Sequence, residues 1–348
     1  MAEHPRRGGS ACGWPVRSRR ATPEHGSVCR GTAVGVERKT CWSLAERAGH
    51  TDPQAMQRLL RTAVWDAEAV RDDVRAWLIE HVGHPDGVLV TDETGFLKKG
   101  VGSVGVLRQY TGTAGRIENS QVGVFLAYAS PLGRGLIDRR LYLPETTWCD
   151  RPARRTAAGV PDEVGFATKP ALARQMIAAA LDAGVPAGWV TGDEVYCADP
   201  GLRADLEHRG VGYVLAVGCD RRVTVNDGRT LVRVDDLAGR IPTREWQLHS
   251  CGLGAKGPRD YLWAWITTSL NGEHRWLLIR RNRTTGETCA GRRRRFRCTP
   301  SSGSPGPAGA SRSCSKQAKA RLAWTTTRSA AGPAGTGSSP WPCSPWPY

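Results

Sequence analysis

Two short stretches of the chain carry carboxylates in a pattern that could do chemistry. "VTDETGF" at 90–96 and "VTGDEVY" at 190–196 each follow an apolar run with an adjacent Asp-Glu pair. Along a strand, neighbouring side chains point to opposite faces, so at most one acid of each pair is expected in a common site. Alternation alone does not say which acid of each pair that is. Ligand sites of open α/β sheets lie beyond the carboxyl ends of strands, so two such acids can converge although they are 101 positions apart. No His or Cys cluster accompanies them, and hard oxygen ligands favour Mg²⁺ or Mn²⁺. A pair of such ions can clamp both oxygens of an in-line phosphoryl displacement. The plainer alternative, acids that merely begin solvated loops, is weakened by the repetition of the pattern.

The elements that must position these acids can be read from periodicity. Asp66 opens a helix with Val70, Val74, Trp77, Leu78 and His81 on one face, ending at Gly83. An earlier helix is expected from Thr51-Asp-Pro-Gln54, which has the capping-box form. Strands are expected at 88–92, 121–129, 135–143, 188–193 and 212–217, with helices at 170–184 and 199–209. This succession is an α/β layer pattern with some parallel pairing. After Gly218 the period becomes two, and Asn226-Asp227-Gly228 and Asn271-Gly272 mark two hairpins. Residues 219–283 therefore read as an antiparallel β insertion.

Charge bounds the partners less than its total suggests. The chain has 348 residues and a formal net charge of +16. Residues 288–348 hold ten Lys or Arg and no acid, and residues 1–36 hold six basic residues against Glu3 and Glu24. That leaves 33 basic and 31 acidic residues in 37–287, so the central body is nearly neutral. No apolar run is long enough for a membrane span, and the arginines near the N-terminus are not followed by the apolar core of a secretory signal. Eleven cysteines without a CxxC pair indicate neither a zinc site nor a disulfide framework, so a reducing cytoplasm is expected.

The motifs "VLVTDETGFLKKG", "NSQVGVFLAYAS", "PDEVGFATKPALARQMI", "VTGDEVYC" and "GAKGPRDYLWAW" together resemble the bacterial insertion-sequence transposases of the DDE type. The resemblance runs from about Val36 to Glu287. It implies an RNase H-like mixed sheet with flanking helices and an antiparallel β insertion, preceded by a small helical region. It also implies Asp92 and Asp193 as catalytic, metal-binding carboxylates with Mg²⁺ or Mn²⁺ as cofactor, so Glu93, the other acid of its pair, is expected to face away. The expected partners are double-stranded DNA, at the element's terminal repeats and at target sites, and further copies of the chain. Such a protein is expected in the bacterial cytoplasm, associated with the nucleoid and not with a membrane. Lys98, Lys99, Lys256 and Arg259 flank the site and are candidates to grip DNA phosphates, with ordinary solvated charge as the alternative.

Four regions follow: residues 1–36, without apolar periodicity and read as disordered or non-native, a helical DNA-binding region at 37–84, a catalytic domain at 85–287, and a disordered tail at 288–348. The tail has no Val, Ile or Met and a single Leu, Leu322, a composition that cannot offset chain entropy by burial. It reads as GC-rich coding sequence in a shifted frame: codons compatible with Ser311–Lys319, read two nucleotides along, encode a helix-like run beginning Glu-Glu-Leu-Phe-Gln. The third acid of the resembled family, a Glu on a helix after the insertion, has no in-frame match. The expectation is therefore a copy with little or no strand-transfer activity; the alternative is a non-catalytic DNA-binding protein that inhibits an intact transposase.

Overall fold

The computed structural model describes residues 40–62, 66–226, 228–254, 257–270, 273–283, 286 and 288–294. The chain divides into two units, residues 1–77 with 337–348 and residues 78–336. The described part of the first unit is helical: α1 (Cys41–Arg47), α2 (Gln54–Arg61) and most of α3 (Ala67–Val82). Thr40 caps α1 by accepting the Ser43 amide. The capping box expected at Thr51 does not form. Helix α2 starts later, Pro53 is its N-cap, and the Asp52 carboxylate takes the Gln54 amide at 2.7 Å. Asp66 opens α3 as expected, accepting from the Glu68 and Ala69 amides.

The second unit is built on one mixed sheet. Its strands are β1 (Val88–Leu97), β2 (Leu107–Thr111), β3 (Arg116–Ser130), β4 (Gly133–Leu141), β5 (Trp189–Gly192), β6 (Gly212–Val217), β9 (Gln247–Gly254), β10 (Gly257–Leu270), β11 (Glu273–Asn282) and β12 (Thr288–Arg294). A separate hairpin holds β7 (Arg222–Val225) and β8 (Thr230–Arg233), turning at Asn226 with φ 53°. Within the main sheet, β4, β3, β1, β5 and β6 lie side by side, with β3 antiparallel to β1 and with β5 and β6 parallel to it. This mixed α/β layer is consistent with an RNase H-like fold.

The helices of this unit are α4 (Pro152–Ala157), α5 (Lys169–Asp182), α6 (Glu194–Cys197), α7 (Pro200–His208) and α8 (Val234–Arg240). Helix α5 is the main cover of the site-bearing strands. Thr168 caps it and Pro170 sits in its first turn, where a missing amide hydrogen costs nothing. Leu172, Ala173, Met176, Ile177 and Ala180 recur at helical spacing and are buried with Leu89, Val124, Leu126 and Tyr128 of the sheet. Burial of each large apolar side chain there contributes about 1.5–3 kcal/mol. Leu78, Ile79 and Val82, at the end of α3, pack against the same core.

Three departures from the sequence-based expectation matter for the site. Strand β1 does not end at Asp92 but runs on to Leu97, paired with β3 throughout. A small core of Val104, Leu143, Trp148 and Val160 forms around a π-helical turn at Glu145–Cys149, which carries no periodic signal. The sheet also reaches past Glu287: β12 lies between β6 and β11, inside the segment expected to be a tail. Backbone pairing on both edges holds that strand and places no demand on its side-chain composition. Residues 1–39 and 295–348, on which the expectations about the N-terminus and the remaining tail fall, lie outside the described residues.

Candidate metal centre

The site forms where β1 loses a neighbour. Pairing of β1 with β5 ends at Thr91 opposite Gly192, while β1 continues for six residues against β3 alone. Beyond Gly192 the chain turns into α6. A Cβ on Gly192 would fall 2.8 Å from Thr91 Cγ2 and 3.2 Å from Tyr196 Cβ, so only a glycine lets the turn approach β1 so closely. Asp193 is the N-cap of that turn and accepts the Val195 amide at 2.9 Å.

One carboxylate oxygen each from Asp92, Glu93 and Asp193 lies within 4.8 Å of the others, and all three residues are half-buried. The structure thus brings together Asp92 and Asp193, and it corrects the expectation for Glu93. Alternation does send the two β1 side chains to opposite faces. With β5 no longer paired to β1 past Thr91, however, both chains can bend around that side of the strand into the space beyond β5, and glutamate has the extra methylene to reach it.

Two neighbours that the sequence reading missed hold Glu93. Lys169 Nζ, at the first position of α5, donates to Glu93 Oε1 at 3.1 Å, and Tyr196 Oη donates to Oε2 at 2.7 Å. Both lie inside motifs quoted above, Lys169 in "PDEVGFATKPALARQMI" and Tyr196 in "VTGDEVYC", but nothing in those motifs marks them as partners of Glu93. Tyr196 is fully buried, and burial, followed by the Glu93 charge, pushes its hydroxyl far above the normal range. It is therefore a neutral donor near neutral pH. Burial, then the charge of Glu93, raises the Asp193 carboxyl to about 6.

The donor set fits a hard divalent cation: three carboxylates and no nitrogen or sulphur ligand among the described residues. Thr91, on the same side of β1 as Glu93, is buried, and its hydroxyl stands beside that of Tyr196.

The other candidates are less central. Lys98 follows β1 and is half-buried, its backbone tied to Asn119 on both sides, and Lys99 is exposed. Lys256 lies outside the described residues. Arg259 is in β10, but its side chain lies outside them too. No described helix is long and apolar enough to cross a membrane.

Comparison with known proteins gives these features a family. A family model described as DDE superfamily endonuclease matches residues 17–245. A probable transposase for insertion sequence element IS701 from Microchaete diplosiphon is 30% identical over 203 residues, which is 56% of this chain and 48% of that protein. The chain therefore matches about half the length of that curated relative. Among solved structures, the NurA nuclease from Sulfolobus solfataricus aligns over 78% of this chain and 85% of its own, at 9% identity and a TM-score of 0.33, a likeness too low to carry an argument. The family match spans well over half of the chain and includes both acidic motifs, so the chain belongs to the DDE superfamily of endonucleases.

Proposed function

We propose that Asp92 and Asp193 hold divalent metal, Mg²⁺ or Mn²⁺, in a transposase site that acts on the phosphodiester backbone of double-stranded DNA. The observation that carries this reading is the convergence of carboxylates from β1 and from the end of β5 to within 4.8 Å, in a chain of the DDE superfamily. Metal bound there would polarise a phosphoryl oxygen and supply a nucleophile at neutral pH. The protein's own contribution is placement. The two strands fix Asp92 and Asp193, the α6 turn aims Asp193 through its bond to the Val195 amide, and the buried ring of Tyr196 shields one side from water. The helices of 37–84 would engage the element's terminal repeats, and Lys98, Lys99, Lys256 and Arg259 would neutralise phosphates of bound DNA. Assembly into oligomers on paired ends and a place at the cytoplasmic nucleoid belong to the same proposal.

The third acid of the family pattern has no in-frame counterpart after Glu287. That supports a copy defective in strand transfer through a frame change near codon 288. Purified full-length protein incubated with its terminal repeats and Mg²⁺ should show no strand transfer above background, and robust transfer would overturn the defect. Nucleotide sequence around codons 285–315 tests the frame directly, because the offset frame must encode a helix carrying Glu. The same missing acid favours a second reading, a DNA-binding protein that inhibits an intact transposase. Salt-sensitive binding to terminal repeats that survives Asp92→Asn, together with inhibition in trans, would support it.

A further inference from the structure

We infer that Glu93 is a third carboxylate ligand of this metal centre, oriented by Tyr196 and opposed by Lys169. This rests on the proposed metal site and goes beyond it, because the ligand comes from β1 itself and not from the chain after the insertion. A glutamate that served only to tie β1 to its neighbours would not need to bring its oxygen within 4.8 Å of both Asp92 and Asp193. Placed there without a cation, it brings a third carboxylate close to two others of like charge. Two devices make the arrangement tolerable. The Tyr196 hydroxyl, buried and neutral, commits its only proton to Glu93 Oε2, which fixes the carboxylate plane. The Lys169 ammonium, 3.1 Å from Oε1, supplies the positive charge that the cluster lacks.

The two neighbours act in opposite senses. Tyr196 supports Glu93 as a ligand, since the outer hydrogen bonds of a metal site typically set its affinity by 10–100-fold. Lys169 competes with the cation for the same carboxylate, so it holds the place of the metal until one arrives. A purely structural network would not show that opposition, because loss of either neighbour would loosen the site.

The test uses full-length protein without DNA and Mn²⁺ as the probe, with affinity read by electron paramagnetic resonance of free Mn²⁺ and with Tm of the metal-free protein recorded alongside. Wild type should bind, and Asp92→Asn and Asp193→Asn should lose binding. Glu93→Gln should weaken it by about 100-fold, with Glu93→Asp recovering part of the loss. Tyr196→Phe should weaken binding by about 10-fold. Lys169→Met should tighten it by about threefold or more while lowering the metal-free Tm, because an opposing charge has gone. Glu93→Gln with wild-type affinity, beside an Asp92→Asn that does not bind, would overturn the inference and leave the metal site standing. Failure of wild type to bind Mn²⁺ would remove the site and the inference together. If Glu93→Gln does not fold, the opposite signs of Tyr196→Phe and Lys169→Met carry the test, and equal or absent effects overturn it.

Discussion

The two Asp-Glu pairs have the same composition and opposite fates. In "VTDETGF" the chain stays extended, and both acids reach the site around the open edge of β1. In "VTGDEVY" a glycine one residue before the acids ends the strand, so Asp193 becomes a helix cap and Glu194 is left exposed. Whether one or two acids of a pair serve the site thus depends on the position of the glycine and on the neighbouring strand, not on the acids. In the first motif the glycine is Gly95, beyond the pair, where a Cβ would meet Thr111 Oγ1 at 1.9 Å.

The largest effects should come from breaking those glycines. Gly192→Val and Gly95→Val should each cost about 3 kcal/mol or more in urea unfolding, since a Cβ would fall 2.8 Å from Thr91 of β1 in the first and 1.9 Å from Thr111 of β2 in the second. Gly100→Val, with nothing within 4 Å of its Cβ, should fall within about 0.5 kcal/mol of wild type. A tolerated Gly192→Val would break the account of how Asp193 is brought to β1. Next in size is Tyr196→Phe, which leaves Glu93 Oε2 without its buried donor and should cost about 1–3 kcal/mol in the same measurement.

A smaller effect sharpens the electrostatic half of the comparison. Between pH 4 and about 6 the folded protein keeps a proton on Asp193 that the unfolded chain has released, so metal-free stability should fall as pH rises through that window. Asp193→Asn should remove this slope and raise the metal-free Tm at pH 8, and a slope that persists in the variant would assign it to another group. The smallest expected effect is Glu194→Gln. Its side chain belongs to an exposed residue outside the cluster, and the substitution should leave Mn²⁺ affinity unchanged and stability within about 0.5 kcal/mol.

Much of the main sheet and its surroundings was legible because the signals are local. The 212–217 strand, the helix capped by Asp199 and the hairpin at Asn226 each depend on residues a few positions apart, and each stands where expected. Asp92 and Asp193 were legible as a pair because the motif repeats. Three things were hidden. The length of β1 depends on its pairing with β3, which no window around residue 92 contains. Glu93 was assigned by alternation, a rule that fixes where Cβ leaves the strand but not where a longer side chain ends when the strand on that side has ended. Lys169 and Tyr196 meet Glu93 across 76 and 103 residues of sequence, and contacts at that separation leave no periodic trace.

Strand β12 has a consequence in time. It is the last described strand in the chain, yet it stands in the interior of the sheet, joining β6 on one side to β11 on the other. Chain growth on the ribosome therefore produces both flanking pieces, β1 to β6 and β9 to β11, before the strand that unites them. Until residues 288–294 emerge, each piece presents a raw edge of unpaired amides and carbonyls to the other and to every nascent chain nearby. The interval between synthesis of β11 and arrival of β12 is thus the moment of greatest exposure to mispairing, and the polypeptide escapes it only with its final described residues.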